Sequence, residues 1–225
     1  MIWRYILLNS LLFFALHSNG FDMLDDNDRI VFFGDSITLL GVKPNGYITL
    51  IKDSLSKKFP SIEIIGAGIG GNKVPDLLAR IDSDVIARNP TIVVIYIGIN
   101  DVWHFITPGQ VGTSKDVYEA GLEKIIGKIQ KTGARIILCT PTVIGEKKNG
   151  KNQLDAQLNE YSGISRRVAQ KTKIELCDLR NAFVNYLQLH NPDNVEQGIL
   201  TADKVHLSDE GNRLVAEEVL KALGQ

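Results

Sequence analysis

Two short stretches of this chain hold residue types that can do chemistry together. Gly34-Asp35-Ser36 follows the apolar run Ile30 to Phe33, and far downstream Asp203-Lys204-Val205-His206 sets an acid and an imidazole three residues apart. A serine hydroxyl is a weak nucleophile until a base takes its proton, and that base works best when a carboxylate orients it. Ser36 as nucleophile, His206 as base and Asp203 as orienting acid predict hydrolysis through a serine ester. Taken alone, Ser36 reads better as a capping serine at a strand-to-helix junction. The Asp-x-x-His pair reverses that balance, because residues three apart on one turn can point the same way.

Other residues compete for these roles. His104 follows Trp103 in a loop near the presumed active edge and is the second candidate for the base, with Asp101 as its nearest acid. His190 ends an amphipathic helix, where a cation suits the helix dipole, so it reads as structural. The histidines and cysteines are widely separated and show no metal-ligand spacing. Gly66-Ala67-Gly68-Ile69-Gly70-Gly71 satisfies the Gly-x-Gly-x-x-Gly dinucleotide pattern after a strand. A dinucleotide site also wants an acid at the end of the next strand, about twenty residues on; that strand ends at Ile97-Gly98-Ile99-Asn100, with no acid until Asp101, roughly thirty residues on. The glycines are read instead as letting a backbone N–H approach a substrate closely.

The elements that must position these residues follow from periodicity. Ile30 to Phe33, Ile62 to Ile65, Thr91 to Ile97, Arg135 to Thr140 and Ile174 to Asp178 read as strands, apolar on both faces as parallel strands covered by helices should be. Between them Tyr47 to Phe59, Val74 to Arg88, Val117 to Lys131 and Leu154 to Lys171 carry helical spacing, Ala182 to Leu189 forms a shorter helix, and Ser208 caps a last one through Leu220. Five strands alternating with helices predict a doubly wound, three-layer α/β/α sandwich with a five-stranded parallel sheet. Ligands of such sheets bind beyond the carboxyl ends of the strands. Ser36, Gly71, Asn100 and the loop after Thr140 all fall at that edge.

The 225 residues suit one α/β domain, with 44% hydrophobic and 23% charged residues and a net charge of −1. That balance, with no basic cluster beyond Lys57-Lys58 and Lys147-Lys148, argues against a nucleic-acid footprint. Residues 1–20 read as a signal peptide: a head carrying Arg4, the apolar stretch Tyr5 to Leu16, and the small residues Ser18 and Gly20 before the cut. The mature domain is then 21–225, secreted or periplasmic, with an uncleaved anchor as the alternative. Cys139 and Cys177 lie in two strands that could be neighbours, and two buried thiols are favoured over a disulfide of awkward geometry.

In its motifs the chain resembles the SGNH hydrolases, also called the GDSL esterase/lipase family. Four blocks occur in order over roughly residues 29–220: Gly34-Asp35-Ser36, the glycine Gly71, Gly98-Ile99-Asn100-Asp101, and Asp203 with His206. Gly66 departs from the pattern by standing where many members carry Asn. The resemblance implies a flavodoxin-like fold and acyl-ester hydrolysis without metal or cofactor. It also implies an oxyanion hole made of the Ser36 and Gly71 N–H groups and the Asn100 amide.

The substrate expected is a small ester, chiefly acetyl, on carbohydrate. Trp103, His104 and Phe105 offer a compact aromatic wall, and no extended apolar lid appears. The run Glu146 to Gln153 reads as a polar, flexible loop. Lipase, lysophospholipase and thioesterase activities remain alternatives, as do a dinucleotide-dependent oxidoreductase and a non-catalytic carbohydrate-binding relative. Neither a nucleic-acid partner nor stable membrane insertion after cleavage is expected.

Overall fold

The computed structural model describes residues 24–225. The predicted signal peptide lies outside the described residues. Five strands, β1 (Arg29–Gly34), β2 (Glu63–Gly68), β3 (Ile92–Tyr96), β4 (Arg135–Cys139) and β5 (Glu175–Cys177), form one parallel sheet in the order β2-β1-β3-β4-β5. β1 aligns Gly34 with Gly68 on one side and with Tyr96 on the other, so three strands end level beside Ser36.

Among the described residues eight α-helices complete the layers: α1 (Ser36–Gly41), α2 (Tyr47–Leu55), α3 (Val74–Asp84), α4 (Ile99–Trp103), α5 (Lys115–Gln130), α6 (Asp155–Thr172), α7 (Leu179–His190) and α8 (Asp209–Ala222). α3 packs on α5 and α5 on α6, while α2 and α7 both pack on α8. Ile30, Val31, Phe32, Phe33 and Val93 through Ile97 are buried between the layers, with Leu77, Ile81, Leu122 and Ile125 from one side and Ile51, Val215 and Val219 from the other. The strand order reverses between β1 and β3. In open α/β sheets such a reversal is where ligands bind, beyond the carboxyl ends of the strands.

The sequence reading holds for all five strands but needs correction at the edges. β2 is flanked by a strand on one side only, and Glu63 and Gly66 are exposed. Its apolar character therefore does not mean cover on both faces. Helix α3 stops at Asp84 and gives way to a 3-10 turn over Ile86–Arg88, ended by Asn89 at φ 49°. Helix α7 begins three residues earlier than Ala182, because the Asp178 carboxylate caps it by accepting the Asn181 N–H. Ser208 caps α8 as expected, accepting from Gly211 N–H at 3.1 Å. Cys139 and Cys177 are register partners on β4 and β5, and both are free, buried thiols. Among the described residues no helix is long and apolar enough to cross a membrane.

Candidate active site

Ser36 is the first residue of α1, set there by tight packing at the end of β1. A Cβ on Gly34 would lie 2.3 Å from both Tyr96 O and Thr38 Oγ1, so only glycine lets the strand turn this close to β3. Asp35 is buried, and its Oδ1 accepts the Ile37 N–H at 2.9 Å, which caps α1 and fixes the serine after it. Burial pushes the Asp35 carboxyl up to about 7, only partly offset by that bond.

Asp203 and His206 meet Ser36 from a tight loop between residues 199 and 208. One Asp203 oxygen accepts the backbone N–H groups of Val205 (3.1 Å) and His206 (2.7 Å), closing the turn on itself. Lys204 takes φ 80° to allow it. The other oxygen receives His206 Nδ1 at 2.7 Å, and His206 Nε2 lies 3.0 Å from Ser36 Oγ. Burial alone would raise the Asp203 carboxyl, but the imidazole and the two N–H groups outweigh it, and the group sits below its ordinary value. The ionised acid thus holds Nδ1–H, which leaves Nε2 free to accept a proton from Ser36.

Asn100 stands in the first turn of α4, buried, and its Nδ2 donates to Asn72 O at 3.1 Å. One N–H of the amide is thereby held, and the plane of the other is fixed. Gly71 adopts φ 75° in open space one residue before Asn72. Among the described residues the backbone N–H groups of Ser36 and Gly71 have no intramolecular acceptor. Arg80, which sequence reasoning missed, ties the same edge together. It donates to Gly34 O (2.7 Å), Ala67 O (3.1 Å) and Asn72 Oδ1 (2.7 Å), and lies over the Phe33 ring.

The other candidates separate from this cluster. Asp101 spends its carboxylate on the Val74 N–H at the start of α3, and burial raises it to about 6, so it does not serve His104. His104 is itself buried, with Nδ1 unpartnered, and burial together with Lys73 pushes its pKa down. Trp103 is partly buried against the core, and Phe105 alone stays half exposed, its ring over Gly112. The expected aromatic wall is mostly packing. His190 is tied to Tyr186 by its ring nitrogen and by stacking, as a structural residue would be.

Two further readings are corrected. A Cβ on Gly66 would sit 2.4 Å from Val42 Cγ1, and one on Gly68 only 2.1 Å from Leu39 N. These two glycines let α1 lie against β2, so the reading of a close backbone approach to a substrate falls to Gly71 rather than to them. The 146–153 segment is not a loose polar loop, since Glu146 is fully buried and Asn152 bonds Lys147 N, Lys147 O and Asp155.

The GDSL-like lipase/acylhydrolase family model matches residues 32–214. An acetylxylan esterase of Geobacillus stearothermophilus is 30% identical over 219 residues, covering 89% of this chain and 96% of that protein. A rat (Rattus norvegicus) isoamyl acetate-hydrolyzing esterase 1 homolog is 26% identical over 200 residues, covering 83% of this chain and 78% of its own. The crystal structure of the acetyl xylan esterase AlAXEase superposes with a TM-score of 0.84 at 46% identity, covering 86% of this chain and 98% of that one.

Proposed function

The chain belongs to the GDSL-like lipase/acylhydrolase family and is a carboxylic ester hydrolase, and from that premise we propose that it removes acetyl groups from carbohydrate through Ser36, His206 and Asp203. The observation that carries the assignment of roles is the continuous line from Asp203 through both ring nitrogens of His206 to Ser36 Oγ. His206 Nε2 takes the hydroxyl proton as Oγ attacks the ester carbonyl. The oxyanion that forms is met by the free N–H groups of Ser36 and Gly71 and by the second N–H of the Asn100 amide. As the intermediate collapses and its bond to the sugar oxygen breaks, His206 gives its proton to that oxygen, so the sugar leaves as an alcohol and an acetyl-serine remains; water repeats the cycle to release acetate.

Two observations support a small acyl group on a sugar. The relatives named acetylxylan esterase match over most of both chains. The 146–153 segment is hydrogen-bonded into the fold through Asn152 and Glu146 rather than forming an apolar lid. A lipase reading draws on two opposing features: the exposed Leu39 and Leu40 on α1 with Ile69 after β2, and the exposed Phe105, Ile106 and Val111 in the loop after α4. Specificity constants on acetyl, butyryl, octanoyl and palmitoyl aryl esters, beside acetate release from acetylated xylo-oligosaccharides, decide between them. The proposal expects the highest values for acetyl and measurable acetate release from the sugar; a rise toward octanoyl and palmitoyl overturns it. Export belongs to the same proposal, resting on Arg4, the apolar run to Leu16 and Ser18-Asn19-Gly20. The amino-terminal sequence of exported protein should begin at Phe21.

A further inference from the structure

Glu146 is completely buried, yet it belongs to a polar run and plays no part in the chemistry above. Its carboxylate receives four donors from one short stretch of chain: Ile199 N–H at 2.9 Å, Leu200 N–H at 2.8 Å, Thr201 N–H at 2.5 Å and Thr201 Oγ1 at 2.6 Å. Three consecutive N–H groups turned toward one point make an anion cradle, here filled from within the chain. Only an acceptor without protons of its own to place satisfies such a set.

The cradled stretch is the root of the loop that carries Asp203 and His206. Thr201 pairs with Leu207 in an isolated antiparallel bridge, Ala202 N–H donates to His206 O at 2.8 Å, and Ser208 N–H donates to Leu200 O at 3.0 Å. The residue beside the glutamate reaches the tip of the same loop, since Gly145 N–H donates to Lys204 O at 2.8 Å. The glutamate is held in turn: its own N–H donates to Glu196 O at 2.9 Å, and Asn191 Nδ2 donates to its carbonyl at 2.8 Å. Residues 145–146 thus hold both the root and the tip of the loop, beside the Lys204–Glu196 ion pair at 2.8 Å and the Asn212 Nδ2 bond to Ser208 O at 2.9 Å.

We infer that Glu146 is a positioning residue: its carboxylate folds the 199–201 turn and thereby sets His206 Nε2 at proton-transfer distance from Ser36. This rests on the reading of Ser36, His206 and Asp203 given above. In Glu146→Gln one oxygen becomes an NH₂ group that must face at least the Ile199 N–H, so the cradle opens there and the loop shifts with little change in volume. A misplacement of about 1 Å in a reacting group costs on the order of 10²-fold in rate.

The test compares wild type, Glu146→Gln, Thr201→Val and Ser36→Ala on an aryl acetate, with turnover counted per folded molecule. Proton NMR follows the low-field Nδ1–H resonance of the His206–Asp203 pair. Glu146→Gln should lower kcat on the order of 10²-fold with KM within about twofold, and should shift or broaden that resonance. Thr201→Val, which removes one donor and keeps the three N–H groups, should do the same to a smaller degree, roughly 3- to 10-fold. A folded Glu146→Gln protein with wild-type kcat and an unmoved resonance overturns the inference. If Glu146→Gln does not fold, Thr201→Val decides alone, and wild-type kcat there overturns it equally. Ser36→Ala separates the two levels: if it keeps turnover, the reading of the site itself has failed rather than the role of Glu146.

Discussion

His206 Nε2 stands 3.0 Å from Ser36 Oγ although 170 residues of chain separate them. Neither residue reaches the other by local structure. Ser36 is placed by the end of β1, where Gly34 and the Asp35 cap bring the chain hard against β3. His206 is placed by a loop folded back on itself before α8 and pinned to the segment after β4. The contact therefore reports on the whole sheet, and its consequences can be tested piece by piece.

The Asn100 amide is held by Asn72 O, and in the proposed mechanism its second N–H meets charge only when the oxyanion forms. Asn100→Ala should lower kcat by roughly 10²–10³-fold with KM little changed, because the lost bond matters at the transition state. Turnover per titrated active site, read beside the melting temperature, checks this. A variant that loses stability but keeps turnover per folded molecule assigns Asn100 to the fold alone.

Gly68 has backbone where a side chain would go, with Leu39 N at 2.1 Å and Thr38 C at 2.6 Å from an added Cβ. Gly68→Ala should destabilise by about 1–3 kcal/mol, as overpacking does when backbone must move. At Gly70 the nearest atom to an added Cβ is Ser36 Cβ at 4.0 Å, an ordinary contact. Gly70→Ala should stay within about 0.5 kcal/mol of wild type. Denaturant midpoints for the two variants give the comparison, and equal losses would contradict the packing account of these glycines.

Burial raises the Asp35 carboxyl from its ordinary 3.8 to about 7. The folded protein then keeps a proton between about pH 4 and 7 that the unfolded chain releases, so this group's contribution falls as pH rises through that window. Asp101, raised to about 6 by burial, adds a decline of the same sign. Asp35→Asn keeps the acceptor for Ile37 N–H and removes the titration. Its melting temperature relative to wild type should climb from pH 4 to 7 and level off above; a gap independent of pH would sink this linkage.

What was legible in the sequence divides along physical lines. The central strands are buried on both faces, so unbroken runs such as Val31 to Phe33 and Val93 to Ile97 announced themselves. Asp203 and His206 form a local turn, and a local turn leaves a local signature. The helices α1 and α4 are six and five residues long, too short for a periodic apolar stripe. The role of Gly68 lies in the space left by α1, which no spacing encodes. Glu146 was hidden most completely. It sits in a run that composition reads as solvated, and its partners lie 53 to 55 residues downstream. Arg80 was missed for the same reason, since the carbonyls it joins are distant in the chain.

The central claim is that Ser36, activated by His206, carries the acyl group. Turnover of an aryl acetate by wild type, Ser36→Ala and His206→Ala, each shown folded by its melting transition, tests it most directly. Both variants should lose on the order of 10⁴-fold or more in kcat, because the two residues act as one unit. Wild-type turnover in folded Ser36→Ala would contradict the account.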